Sequence, residues 1–196
     1  GIGGRPFNVM ERVPGRPMLA ELFEQRADSG QAGERFARIH ARLHDTPAEP
    51  VIQAVEDAGV PPDSFSAWQR LDHLERYLDP PEFEPHKPCM AWLRTKRPAK
   101  RNPPAVCHGD FHPGNVMVED GAVTGIIDWP GAAFADPEYD VAVTLVLIGV
   151  AAGGLFPEAR PALEQFMGMY VDAYQELRPL DLHRVAYFEA MRCYVA

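Results

Sequence analysis

Residues 107–142 read CHGDFHPGNVMVEDGAVTGIIDWPGAAFADPEYDVA. Here the chain changes character, from helical spacing to short β-type runs at Ala105–Cys107, Val116–Val118 and Val123–Ile127. Asp120–Gly121, between the last two runs, is the dipeptide of a two-residue hairpin turn. Pro113–Gly114 predicts a second tight turn just before Asn115. That turn would bring Asn115 back toward Asp110, and the returning hairpin would deliver Asp128 beside Asn115. Two carboxylates and a carboxamide are thus expected around one cavity.

Working outward, helices dominate. Met18, Leu19, Leu22 and Phe23 predict a short amphipathic helix. Phe36, Ile39 and Leu43 predict a second, with His40 and His44 one turn apart. These two histidines could share a metal, but no third ligand is evident, so they are read as surface or buttressing residues. Pro47 and Pro50 are expected to break the chain. Trp68, Leu71, Leu74 and Leu78 continue the helical spacing, and a Pro-rich basic stretch from Pro85 to Pro104 encloses a short helix at Met90–Leu93. Helix is expected again from Tyr139, over Arg160–Leu177 and from Leu182. Trp68, Trp92, Tyr170, Tyr174 and Phe188 are expected to pack the core. Asp172, Glu176, Asp181 and Glu189 are read as solvated helix faces. Near the start, Phe7, Val9 and Val13 are spaced as a strand, with Pro14–Gly15 as its closing turn.

Composition sets outer bounds. The 46% hydrophobic and 24% charged residues place the 196-residue chain among globular proteins. A formal charge of −9 argues against nucleic acid as a partner, because phosphate binding needs clustered Lys and Arg. Three scattered cysteines make neither a disulfide framework nor a zinc site, and a reducing, cytoplasmic setting is expected. The apolar run Val141–Ala152 is shorter than the ~20 residues that a membrane span needs, so it reads as a buried helix and no membrane association is expected.

His108, Asp110 and Asn115 are spaced as H-x-D-x-x-x-x-N, with Asp128 thirteen residues past Asn115. Phosphoryl transfer uses such a set: one carboxylate accepts the proton of the attacking hydroxyl, while an amide and a second carboxylate hold Mg²⁺. Asn and Asp supply hard oxygen ligands, which suit that ion.

The segment HGDFHPGN together with IIDW resembles the aminoglycoside phosphotransferase and choline kinase-like family. GRPFNVMERVPGRPM at 4–18 resembles the same family's hinge strand. The resemblance implies an α+β, mostly α fold: the larger lobe of a protein kinase-like enzyme, with a small β hairpin at the active site. It implies Asp110 as catalytic residue in a loop at 108–115, and Asn115 and Asp128 as metal ligands, the latter in a metal loop at 126–130. His108 and Asp140 would support the catalytic loop. Met10, Glu11 and Val13 would meet the adenine ring, and His112 would cap its turn or face the nucleotide phosphates. Mg²⁺ and ATP or GTP are the implied co-reactants, and a hydroxyl of a small metabolite or antibiotic-like molecule the implied acceptor.

The chain departs from that pattern in three ways. No Gly-rich phosphate loop and no strand lysine precede the hinge, and the lysines present are Lys87, Lys96 and Lys100. Residues 1–17 are therefore expected to be a hinge strand and linker, and 18–196 a lobe without its smaller partner, truncated at both ends. The uncovered face makes a homodimer plausible. Pro130 follows Asp128–Trp129 and fixes φ there, which disfavours a flipping metal loop. Finally, Gly131–Asp140 is too short for a long activation loop, which favours a small-molecule acceptor over a protein. Without the smaller lobe the isolated chain is expected to bind Mg–nucleotide poorly and to turn over little or nothing, and a non-catalytic or inactive nucleotide- or ligand-binding fragment stays open as the alternative. A two-metal phosphoesterase built on Asp110–Phe111–His112 is more remote, since His183 is the only later histidine.

Overall fold

Helix α2 (Ser29–His44) begins at Asp28, whose carboxylate accepts the Gln31 N–H at 3.0 Å. This is an N-cap of the expected kind. In the computed structural model, which describes residues 11–24, 28–77 and 81–195, α2 lies against α7 (Arg160–Leu177). Phe36 and Ala37 from the first helix meet Phe166, Tyr170 and Tyr174 from the second. Leu74, Leu78 and residues 6–10 of the expected first strand contribute nothing further, because their side chains or positions lie outside that description.

Helix α6 (Pro137–Val150) is apolar nearly all round, as a helix buried on every side should be. Val141 and Ile148 join the α2–α7 core. Ala142 and Val143 join a second core, built from Trp68 and Leu71 of α4 (Ala67–Tyr77), Leu93 of α5 (Lys87–Thr95), and Tyr187, Phe188 and Met191 of α8 (Leu182–Val195). The helix continues as a π-turn, Ala151–Leu155, so the helical stretch reaches nineteen residues where the apolar run suggested twelve. By length and composition it could cross a bilayer, yet half of it is buried between the two cores.

The β-structure is small. β3 (Val116–Glu119) and β4 (Ala122–Ile126) form the expected hairpin, with Asp120 and Gly121 at φ 48° and 76°. Two successive positive φ values define the turn whose twist matches the strands. β1 (Arg16–Pro17) adds a third strand beside β3, pairing Arg16 with Val118. A second sheet pairs β2 (Ala105–Cys107) with β5 (Ala133–Ala135). β5 was expected as loop: three residues between Gly131 and Pro137 carry too little pattern to stand out.

Other expectations change as well. Residues 11–13 are irregular, and a two-residue strand, β1, follows the Pro14–Gly15 turn, while Phe7 and Val9 of the expected strand lie outside the described residues. Pro47 and Pro50 do not break the chain but open α3 (Ala48–Asp57). In a first helical turn the backbone N–H groups have no carbonyl to bond, so proline loses nothing there. α1 (Met18–Phe23) is as expected. α5 spans nine residues, preceded by a 3₁₀ segment at Pro81–His86. Trp68 and Phe188 are buried, but Trp92 is 45% exposed and lies flat against Tyr187.

Candidate active site

The loop from His108 to Asn115 joins β2 to β3 and is bonded from four directions. Asp140, at the start of α6, accepts both the His108 N–H at 2.6 Å and the Gly109 N–H at 2.7 Å. His108 Nε2 donates to the Ile127 carbonyl at 2.9 Å. Thr144 donates to the Phe111 carbonyl at 2.7 Å, and the Leu19 N–H donates to the Pro113 carbonyl at 3.0 Å. Gly109 has φ 75°, and a Cβ there would lie 1.9 Å from the Gly131 oxygen. Only glycine allows the loop to pass so close to the segment after Asp128.

This scaffold brings Asp110 and Asn115 into contact and leads the chain to Asp128. Asn115 Nδ2 donates to the Asp110 carbonyl at 3.0 Å and lies 3.4 Å from Asp110 Oδ2. The Ile127 N–H donates to the Asn115 carbonyl at 2.9 Å, which sets Asp128 next in the chain beside Asn115. Asp128 has φ 67°, a left-handed conformation uncommon outside glycine though more frequent for Asp and Asn. Its side chain is exposed and makes no capping bond to the 3₁₀ turn that follows.

His112 caps the Pro113–Gly114 turn: its Nδ1 accepts the Gly114 N–H at 3.1 Å. The ring proton therefore sits on Nε2, which faces Asp110 Oδ2 at 3.8 Å. Burial lowers the His112 pKa, against the pull of Asp110 and Asp128, so the ring is neutral at neutral pH. Of the adenine-pocket residues, Met10 lies outside the described residues. Val13 packs over Gly125 of β4, and Thr124 donates to the Pro14 carbonyl at 2.6 Å, so the segment bearing Glu11 and Val13 runs beside the hairpin.

The support behind the loop is larger than expected. Asp140 is fully buried, and its Oδ2 accepts from His40 Nε2 at 3.1 Å and His44 Nε2 at 3.3 Å. The histidines in turn accept from tyrosine hydroxyls: Tyr170 to His40 Nδ1 at 2.8 Å and Tyr174 to His44 Nδ1 at 2.6 Å. His40 and His44 are therefore not surface residues. The expectation that they lack a third partner is also corrected, since Asp140 is that partner. The three groups lie within 4.8 Å of one another, a spacing a metal could use. Hydrogen bonding already accounts for both nitrogens of each ring and for the shared carboxylate oxygen, so we read the cluster as a hydrogen-bonded histidine network around one carboxylate.

Burial alone would push the Asp140 carboxyl up, but the two imidazole hydrogen bonds outweigh it and hold the group well below the usual carboxylate range. Burial, reinforced by His44, lowers His40 to about 4 despite the neighbouring carboxylate. Two more buried acids in the same Asp136–Pro137–Glu138–Tyr139–Asp140 run are tied to distant arginines: Asp136 to Arg184 and Glu138 to Arg101. Three acids on one helix start, each buried, were the readable trace of this anchor. Their partners were not readable. Asp172 and Glu176 are exposed as expected, while Asp181 caps α8 through the His183 N–H at 3.0 Å and Glu189 is half-buried.

Asn115 and Asp128 suit a hard divalent cation. With its amide nitrogen taken by the Asp110 carbonyl, Asn115 keeps its oxygen as a ligand, and the exposed Asp128 carboxylate adds a charged oxygen.

Comparison with known proteins bears on the family and the fold. The profile of the phosphotransferase enzyme family matches residues 1–185. An aminoglycoside-3'-phosphotransferase of type VIII superposes with a TM-score of 0.61 at 25% identity, covering 94% of this chain and 67% of that one. The GDP and kanamycin complex of APH(2")-IIia superposes at 0.53 with 19% identity, over 93% of this chain and 59% of that one, a likeness of fold. A hygromycin-B 4-O-kinase from Escherichia coli is 46% identical over 35 residues, 18% of this chain and 10% of that protein. The chain thus spans about two thirds of its first structural relative, and the aligned part of the curated one is far smaller.

Proposed function

Because the chain belongs to the phosphotransferase enzyme family, whose profile matches residues 1–185, we propose that it moves the γ-phosphate of ATP or GTP to a hydroxyl of a small molecule. The observation that supports it most is the Asn115 side chain bonded to the Asp110 carbonyl, with the main-chain bond from Ile127 to Asn115 leading directly into Asp128. In this reading residues 18–196 form the larger lobe of a kinase-like enzyme, residues 11–17 lead into it from the hinge, and the protein works in the cytoplasm.

Asp110 orients the acceptor hydroxyl and takes its proton as the oxygen bonds to the γ-phosphorus. The bond from that phosphorus to the β-bridging oxygen breaks, and the nucleoside diphosphate leaves with the electron pair. A neutral His112 suits this arrangement, because its Nε2–H can approach Asp110 or a phosphate oxygen without neutralising the base. Asn115 and Asp128 would hold Mg²⁺, whose charge would offset that on the phosphates. The main chain of Glu11 and Val13 lines the base pocket. His108 and Asp140 act by fixing the backbone on which Asp110 stands. Two features favour a small acceptor: Pro130 stiffens the metal loop, and β5 and α6 begin within seven residues of it.

Asp128→Ala tests the metal assignment. Calorimetric titration with ADP should show tighter binding with Mg²⁺ than without, and the variant should lose most of that difference while binding metal-free ADP as before. An undiminished Mg²⁺ effect in the variant removes Asp128 from the role.

A further inference from the structure

One cavity touches the catalytic loop and is unlike the rest of the acidic surface. Its walls are Leu19 and Phe23 of α1, Ile148 of α6, Leu155 and Phe156 beyond the π-turn, and Leu163 of α7. His112 and Pro113 of the catalytic loop also line it, and His112 Nε2 lies 3.8 Å from the Asp110 carboxylate. No lining residue carries a carboxylate, although the chain as a whole has a formal charge of −9. The volume is about 200 Å³, below the ~300–1,000 Å³ of pockets that enclose a drug-sized ligand. It therefore takes one apolar segment of a molecule rather than the whole.

The fold shapes this cavity deliberately. α6 ends in the π-turn Ala151–Leu155, closed by the Phe156 N–H on the Ala151 carbonyl at 2.9 Å. π-turns within helices recur at functional sites, because the extra residue widens the helix and redirects side chains. Here it presents Leu155, 68% exposed, and sets Phe156 against Phe23 with ring centroids 4.9 Å apart. Leaving such apolar surface open beside a reaction centre costs stability with no packing return.

Resting on the phosphotransferase reading above, we infer that the acceptor is an alcohol with an uncharged apolar body, such as an acyl, prenyl or alkyl-aromatic group, which lodges in this cavity and directs its hydroxyl at Asp110. A polycationic amino sugar is disfavoured: it would be desolvated against leucine and phenylalanine with no carboxylate to receive its ammonium groups.

Methyl-resolved NMR of the chain tests this without requiring turnover. Titration with 1-octanol should shift the methyls of Ile148, Leu155 and Leu163 saturably, while the exposed methyls of Leu177 and Leu182 stay fixed. Kanamycin, as polycationic probe, should leave the cavity methyls unmoved. Leu155→Glu, an exposed change that spares the core, should weaken 1-octanol roughly tenfold by removing apolar contact and adding charge. The inference is overturned if kanamycin shifts the cavity methyls, if 1-octanol moves all exposed methyls alike, or if Leu155→Glu binds as well as the parent. Those results leave the phosphoryl-transfer reading standing. That reading fails separately, if the parent chain binds ADP no more tightly with Mg²⁺ than without it.

Discussion

Asp110→Asn reduces phosphoryl transfer from MgATP or MgGTP by about 10³-fold, the usual reach of a positioned general base being roughly 10²–10⁴. The amide is nearly the same size and keeps the loop in place, since the bond from Asn115 Nδ2 goes to the Asp110 main-chain carbonyl. Affinity for nucleotide should therefore change by less than about threefold, the loss falling on kcat because the proton is received only as the new bond forms. The measurement is release of the nucleoside diphosphate with the best acceptor of an alcohol panel, beside a direct nucleotide titration. Retained turnover would remove Asp110 from the reaction. A parallel collapse of nucleotide binding would make it a structural residue.

Asp140→Asn should be the most destabilising single change in the site, by about 3–5 kcal/mol, the range for breaking a buried ionic group away from its partners. Asp140 receives two main-chain N–H groups and two imidazoles. An amide in its place has one acceptor oxygen and turns its NH₂ toward a donor. Urea denaturation reads the loss, with exposed Asp172→Asn as a control expected within about 0.5 kcal/mol of the parent.

The same network sets a pH dependence. His40 is held at about 4 in the folded protein against an ordinary value of 6.5. The unfolded chain takes up that proton first, so stability is lost as pH falls from about 6.5 to 4, by roughly 3 kcal/mol at 1.36 kcal/mol per unit. Asp140 has a depressed folded pKa, so its contribution is complete above the ordinary carboxylate value and is lost only as pH falls below it. Stability should fall in two stages on acidification. Asp140→Asn should remove the second stage, the one below pH 4.

The hairpin and its three polar groups were legible because every local signal agreed. Asp120 and Gly121 both tolerate positive φ, Val116 and Val118 are buried and alternate with the more exposed Met117 and Glu119, and Pro113–Gly114 turns the chain where Asn115 must reverse it. Most helices were legible from spacing alone. The buried network was not. Tyr170 and Tyr174 stand 130 residues from His40 and His44, and Asp140 about 100 from both. An i, i+4 histidine pair and an i, i+4 tyrosine pair give no sign that they face each other until α2 and α7 pack. α3 was hidden because proline reads as a breaker unless its place in the first turn is known. β5 and the two-residue β1 were hidden because strands of two or three residues are defined by their neighbours rather than by their own composition.

The most direct measurement replaces Mg²⁺ with paramagnetic Mn²⁺ in the presence of millimolar ADP and follows line broadening across assigned NMR resonances of the chain. Strong broadening of the Asn115 side-chain amide and of the main-chain amides of Asp110 and Asp128, with α4, α5 and α8 left sharp, is the predicted result. Broadening centred on His40 and His44, or sharp signals at all three site residues at saturating nucleotide, would contradict it.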